Sequence, residues 1–238
     1  MKKTIVSILG IGAVAAAVVA VLNARRHAAV AGTALLLAAQ TNANAALLIN
    51  GAGSTFDNPA FTKWFSVYSS VDPGVNFNYQ SIGSGAGKKQ LQNKTVDFGA
   101  SDAPMSDAEL TASPGKVLHV PIVAGGVAII YNLPGDPKLK LDGDTLAGIY
   151  LGNIKKWNDP KIAALNAGTE LPDLPIVAVH RSDGSGTSFI FTDFLSAVNP
   201  AWADSVGKGS AVKWPLGIGS IGAKGSEGVA GQVKQLPG

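Results

Sequence analysis

From residue 46 to the end of the chain, short runs of strand-forming residues alternate with helical segments, and glycine-rich turns separate them. Parallel strands need long crossover connections, usually helices, so this alternation is typical of an α/β protein. The pattern predicts strands at 75–79, 96–100 and 176–179, and glycine turns at 51–55 and 83–87. With 238 residues, the chain is long enough for one large domain or two modest ones.

Local signals predict where several helices begin. Pro59 stands in the first turn of a segment with an apolar stripe at Phe61, Trp64, Phe65 and Tyr68. Ser106 and Glu109 have the spacing of a capping box. Further helices are predicted to begin near residue 88, after Asp159-Pro160, and over 189–198.

The segment 117–133 is almost continuously apolar, interrupted by Pro121 and by Gly125-Gly126. Such runs are typical of strands buried on both faces. We therefore expect buried strands here, interrupted where the chain crosses between two lobes.

The first 45 residues have the composition of a targeting segment. Two apolar runs, 5–22 and 28–39, each follow a basic pair, and Ala43-Asn44-Ala45 matches a signal peptidase site. Either the second unit is the signal peptide and the first an upstream extension, or the first run is a membrane anchor. We favour cleavage after Ala45 and export to the periplasm.

The charge distribution argues against a nucleic-acid partner. Four of the 19 basic residues and none of the 16 acidic residues lie in the first 45, which leaves 15 basic and 16 acidic residues, a net charge of −1. A nucleic-acid-binding protein normally keeps a basic face. The chain has no cysteine, which excludes thiol nucleophiles and Cys-ligated metals.

Three polar turns have the composition of an anion site. Thr55-Phe56, Ser84 and Ser185-Gly186-Thr187 each place backbone N–H groups and a hydroxyl where a helix begins. Arg181 adds a planar guanidinium suited to a tetrahedral oxyanion, and Asp183 is placed to orient it. Each turn alone is typical of an ordinary helix cap. The combination favours anion binding.

Asp102 follows the predicted strand 96–100 and would repel an anion that carries no proton. Hydrogen phosphate has an O–H that can donate to this carboxylate, whereas sulfate has none at neutral pH. A site built to accept a ligand O–H can reject an analogue that lacks it by about 10⁴-fold. Asp102 therefore predicts selectivity for phosphate.

At these residues the chain resembles the periplasmic phosphate-binding proteins of bacterial ATP-driven (ABC) phosphate transporters. The similarity runs from about residue 50 to the end, with the motifs in the family's order. The matching stretches are 51–56, 82–85, 96–104, 149–152, 155–157, 181–189, 213–215 and 235–238.

The resemblance implies a type II periplasmic-binding fold, in which two α/β lobes enclose phosphate at a hinge. It divides the chain into a targeting segment (1–45), a partial first lobe (46–123) and a nearly complete second lobe (124–238). Family members continue beyond residue 238 into a return segment, so we expect this chain to be a C-terminal truncation. The implied phosphate-binding residues are Thr55, Phe56 (through its backbone N–H), Ser84, Asp102, Arg181, Ser185, Gly186 and Thr187, with Asp183 orienting the arginine.

We expect a monomeric receptor without cofactor or metal that delivers phosphate to the permease subunits of a transporter. The alternatives are a secreted phosphomonoesterase and a surface protein built on the same fold. The enzyme has little support, since the histidines are only His27, His119 and His180, and no metal motif or nucleophile elbow occurs. We expect His119 and His180 to be structural.

Overall fold

The computed structural model describes residues 46–216 and 219–238. Residues 46–112, which we call the N-terminal half, contain a parallel sheet in the order β2–β1–β3. The strands are β1 (Leu47–Gly53), β2 (Val75–Ser81) and β3 (Phe98–Ala100). The helices are α1 (Asn58–Tyr68), α2 (Ser84–Gln92) and α3 (Asp107–Thr111).

Residues 143–238, the C-terminal half, contain two parallel strands, β4 (Val179–Arg181) and β5 (Ile221–Ala223). Their helices are α4 (Gly143–Tyr150), α5 (Pro160–Leu165), α6 (Gly186–Val198), α7 (Pro200–Ser205) and α8 (Gly225–Gln235). Parallel strands that alternate with helices in both halves confirm the predicted α/β class.

Aromatic side chains pack α1 onto the first sheet. Phe61 is buried and stacks on Phe65 with ring centroids 5.3 Å apart, and Phe65 stacks on Phe77 of β2 at 4.5 Å. The stripe predicted on this helix is thus the face that meets the sheet. Its aromatic pairs add about 1 kcal/mol each beyond the burial of their area.

A second core fixes α6 in the C-terminal half. Leu195 of α6 and Trp202 of α7 are fully buried against Leu146 of α4. The Trp202 indole N–H donates to the Gly207 carbonyl oxygen at 3.0 Å, so the ring is buried without an unsatisfied donor. This packing holds α6 against α4 and α7.

The helix starts agree with the sequence signals. Pro59 lies in the first turn of α1, and Ser106 and Glu109 form the capping box of α3. Asp159 caps α5 by accepting a hydrogen bond from the Lys161 N–H at 2.9 Å. The helices predicted near 88 and at 189 begin earlier, at Ser84 and Gly186, because the glycine turns form their first residues.

The predicted turn at 51–55 is wrong in its first part, since β1 continues to Gly53. Its glycines are required by close neighbours: the Phe98 ring lies where a Cβ of Gly51 would be, and Ala100 backbone atoms lie where a Cβ of Gly53 would be. A central strand can therefore contain glycines where aromatic rings or backbone approach it closely.

The strand predicted at 176–179 is displaced and overlaps β4 only at Val179, because pairing with β5 begins there.

The expectation of buried strands in 117–133 is also wrong. No regular element occurs between α3 and α4, and Leu118 and Val120 are 72% and 49% exposed. Hydrophobicity alone does not make a strand, and neither sheet pairs with this segment.

The targeting segment predicted at 1–45 lies outside the described residues. Within 46–216 and 219–238, no helix combines the length and the apolar character that crossing a membrane requires.

Candidate anion-binding site

The candidate site lies where the two halves meet, beyond the carboxyl ends of the strands. In the N-terminal half, Thr55 and Asp102 lie in the turns after β1 and β3, and Ser84 begins α2 after β2. In the C-terminal half, Arg181 ends β4, and α8 begins directly after β5. Ligands of open α/β sheets bind at this edge, because the loops there converge while the strands remain rigid.

Arg181 and Asp183 form a buried two-point ion pair. The Arg181 Nε donates to Asp183 Oδ1 at 2.6 Å, and Nη2 donates to Oδ2. Burial alone would raise the pKa of Asp183, but the hydrogen bonds from Arg181 and the Gly225 N–H outweigh it and lower the pKa below its usual value. Asp183 therefore stays ionised and holds the guanidinium at two points.

Thr55 joins the two halves. Its hydroxyl accepts a hydrogen bond from Arg181 Nη1 at 3.3 Å across 126 residues of sequence, and both residues are buried. The turn after β1 is thereby tied to the end of β4. The first of the predicted donor turns consequently lies beside Arg181.

Asp102 accepts hydrogen bonds from both halves. Ser54, in the turn after β1, donates to Oδ1, and Thr187, in the first turn of α6, donates to Oδ2 at 3.1 Å. A carboxylate has about four lone-pair positions, so each oxygen can still accept one more hydrogen. The carboxylate therefore keeps the capacity to accept a ligand O–H.

Ser84 and Gly186 complete the contact between the halves. A Cβ on Gly186 would lie 2.6 Å from both the Asp102 Cβ and the Ser84 Oγ, so only glycine fits at the start of α6. The Asp102 N–H donates weakly to Ser84 Oγ at 3.4 Å. The N-termini of α2 and α6 thus both lie beside Asp102.

Two predicted site residues are already engaged in local hydrogen bonds. Ser185 is fully buried and caps α6, accepting from the Ser188 N–H at 3.1 Å. The Phe56 N–H, predicted to contact the ligand, donates to Ser54 Oγ at 3.1 Å. Ser185 retains its own hydroxyl proton, whereas the Phe56 amide would have to exchange partners to bind a ligand.

Three residues at the site were missed by sequence reasoning: Ser54, Asp57 and Ser226. Ser54 and Asp57 flank the Thr55-Phe56 motif. Ser226 follows Gly225 at the start of α8, directly after a strand, which is the same Gly-Ser arrangement that marked the other turns. That signal could have identified it as a fourth donor turn.

Asp57 places a buried carboxyl near the partly buried Asp102. It precedes α1, yet its side chain accepts no capping hydrogen bond from the helix. Burial, with a smaller contribution from the negative charge of Asp102, raises the pKa of Asp57 to about 6. Burial, with smaller contributions from the negative charges of Asp57 and Asp102, also raises the pKa of Tyr79. The Tyr79 hydroxyl donates to the Ser54 carbonyl oxygen at 2.7 Å.

The two described histidines have structural contacts. His119 Nε2 accepts a hydrogen bond from the Met105 N–H at 3.2 Å, and His180 stacks on Trp214 with ring centroids 5.2 Å apart. In the part of the chain that the structure describes, no group of three or more His, Cys, Asp or Glu could hold a metal ion.

Comparison with known proteins identifies the family that this fold and site define. A family model described as a PBP superfamily domain matches residues 25–238, and the chain belongs to that superfamily. Its fold is the predicted type II periplasmic-binding fold. A solved structure from Clostridium perfringens, described as a phosphate ABC transporter substrate-binding protein with bound phosphate, has a TM-score of 0.53 and 21% identity over 79% of this chain and 67% of its own, and supports the fold.

Several curated relatives of the chain are phosphate-binding proteins named PstS. It is 52% identical to that of Pasteurella multocida over 190 residues, which is 79% of this chain and 54% of the relative. It is 49% identical to that of Haemophilus influenzae, again over 79% of this chain and 55% of the relative. The chain thus spans about half the length of these relatives.

Proposed function

We propose that this chain binds inorganic phosphate between its two halves. The binding residues would be those predicted from the sequence: Thr55, Phe56, Ser84, Asp102, Arg181, Ser185, Gly186 and Thr187. Asp183 would hold the Arg181 guanidinium in position. The observation that carries the proposal is the placement of the Asp102 carboxylate among hydroxyl donors from both halves.

The charges and donors at this place suit a singly protonated tetrahedral anion. Arg181 and the N-termini of α2 and α6 supply positive potential, which favours an anion. Asp102 would accept the hydrogen of that anion, a contact that sulfate cannot supply. Desolvated, charge-assisted hydrogen bonds of this kind are worth about twice as much as neutral ones.

The curated relatives are named as phosphate-binding proteins, and the family resemblance of the sequence implies a role in transport. We propose that the full-length protein is exported to the periplasm by a signal peptide within residues 1–45, and there delivers phosphate to the permease of an ABC transporter. Residues 46–123 and 124–238 would belong to its two lobes. It would act as a monomer, without cofactor, metal or nucleic acid.

We propose that the protein carries out no covalent chemistry on its ligand. Its curated relatives are named as binding proteins. The two described histidines contact Met105 and Trp214. The phosphomonoesterase and surface-protein alternatives gain no specific support from the described residues.

Isothermal titration calorimetry of the chain with phosphate and with sulfate tests the proposal. We expect saturable 1:1 phosphate binding, with sulfate weaker by at least about 10³-fold, as expected when a buried acceptor is left unpaired. Equal affinity for the two anions, or no binding of phosphate, would contradict it. Release of p-nitrophenol from its phosphate ester above the rate of a buffer blank would favour the enzyme instead.

A further inference from the structure

Two glycine turns, 83–85 and 183–186, touch through their backbones where the halves meet. The Gly85 N–H donates to the Gly184 carbonyl oxygen at 2.9 Å. A Cβ on Gly85 would lie 3.1 Å from the Gly184 Cα, and a Cβ on Gly184 would lie 3.2 Å from the Gly85 Cα. Both distances are shorter than ordinary van der Waals contact, so a side chain on either glycine would crowd the opposite turn.

The contact continues at the neighbouring residues of both turns. Gly83 has a positive φ of 92°, and a Cβ there would overlap Asp183 Oδ2 and lie 2.9 Å from the Gly184 carbonyl oxygen. A Cβ on Gly186 would lie 2.6 Å from Ser84 Oγ. The two turns therefore lie against each other at several successive residues.

The Gly184 carbonyl also caps helix α2 from the other half. The first four N–H groups of a helix have no partner within it. The N-cap residue of α2, Gly83, supplies no side-chain hydrogen bond, and the Gly85 N–H is instead satisfied by the Gly184 oxygen. The helix dipole favours a partly negative oxygen at this end. The start of α2 is thus held by the C-terminal half.

This contact lies beside two of the predicted anion donors. Ser84 stands between Gly83 and Gly85, and Ser185 follows Gly184. We propose that Gly85 and Gly184 are positioning residues for the anion site, which set the spacing between Ser84 and the start of α6 by direct backbone contact. In this role neither glycine contacts the anion itself. The inference rests on the proposed phosphate function.

Gly85→Ala and Gly184→Ala each add one methyl group to the contact. Neither residue has a positive φ, so the backbone can accept alanine, but the opposite turn has to shift by a few tenths of an ångström. We expect the phosphate affinity to fall about tenfold in each variant, because the donors of a preorganised site tolerate little displacement. Isothermal titration calorimetry measures the affinity.

The stability of Gly85→Ala distinguishes positioning from a merely structural role. Alanine is a better helix former than glycine, and Gly85 lies in the first turn of α2. Urea denaturation without phosphate should therefore give the same midpoint as the parent or a higher one, although phosphate binds more weakly. A midpoint that falls together with the affinity in both variants would show damage to the fold and would overturn the inference.

Gly228→Ala is the matched control. Gly228 also lies in a helix, α8, where a Cβ would make an ordinary contact with the Ala223 Cβ at 3.6 Å. The control should bind phosphate as the parent does. Because Asp102 is unchanged, Gly85→Ala and Gly184→Ala should also keep the parent's preference for phosphate over sulfate within about threefold.

The outcomes separate this inference from the proposed function. If the parent binds phosphate and both glycine variants bind it equally well, or if they lose the preference over sulfate as Asp102→Asn does, only the positioning role is wrong. If the parent binds no phosphate, the proposed function is wrong and the positioning role is wrong with it.

Discussion

The Arg181 guanidinium and the Asp183 carboxylate are joined at two points, with Nε 2.6 Å from Oδ1 and Nη2 bonded to Oδ2. The arginine side chain is 7% exposed and the aspartate side chain 14%. This pairing occupies the Nε–Nη2 edge of the guanidinium, while Nη1 donates to Thr55. Asp183, two positions along the chain, thus decides which nitrogen atoms of Arg181 can still donate to a ligand.

Asp183→Asn should weaken phosphate binding about tenfold and lower the free energy of unfolding by about 3 kcal/mol, because it leaves a buried guanidinium without its counter-charge. Calorimetry and urea denaturation measure the two effects. The matched control is Asp193→Asn, which breaks the exposed pair with Lys208 at 2.7 Å. We expect the control to change stability by less than about 1 kcal/mol; similar effects in the two variants would contradict the role given to Asp183.

Asp102→Asn should reduce the preference for phosphate over sulfate by at least about tenfold. An amide can donate to sulfate through its NH₂ group, whereas the carboxylate can only accept and repels it. Competition calorimetry with both anions measures the ratio. A variant that rejects sulfate as strongly as the parent does would show that selectivity arises elsewhere.

Gly186→Ala should weaken phosphate binding by about 100-fold or more, since the new methyl group would overlap Asp102 and Ser84 at 2.6 Å and separate the two halves. Gly231→Ala is the matched control: it also lies in a helix, and a Cβ there would meet no atom within 4 Å. The control should gain about 0.5–1 kcal/mol of stability with unchanged affinity. If both variants keep the phosphate affinity of the parent, the close contact at Gly186 is not needed for phosphate binding.

Asp57→Asn should remove a pH dependence of stability. The pKa of Asp57 is about 6 in the folded chain against an ordinary value of 3.8, so between these values the folded state holds a proton that the unfolded state has released. Stability of the parent should therefore fall as the pH rises from about 4 to about 6. In the variant this fall should disappear, with a gain on the order of 2 kcal/mol at pH 7.

Urea denaturation at pH 4.5, 6 and 7.5 measures this dependence. Asp204→Asn, an exposed carboxyl on α7, serves as the control and should keep the profile of the parent. If Asp57→Asn also keeps that profile, burial does not raise the pKa of Asp57 as described.

The sequence by itself determined the local features. Pro59, the Ser106–Glu109 capping box and the Asp159 cap fix helix starts through contacts within four residues, and the structure has each of them. The arginine-aspartate pair could be predicted for the same reason, since its members are two positions apart. The class of fold followed from the alternation of strands and helices.

Only the tertiary structure decided which distant residues meet. The apolar segment 117–133 was predicted to form buried strands, but no described strand pairs with it, and pairing depends on partners that periodicity does not reveal. The contact of Ser226 with Thr55 spans 171 residues. It depends on where β1 and β5 end in space, which is decided by the packing of the two halves and not by signals within a few residues of sequence.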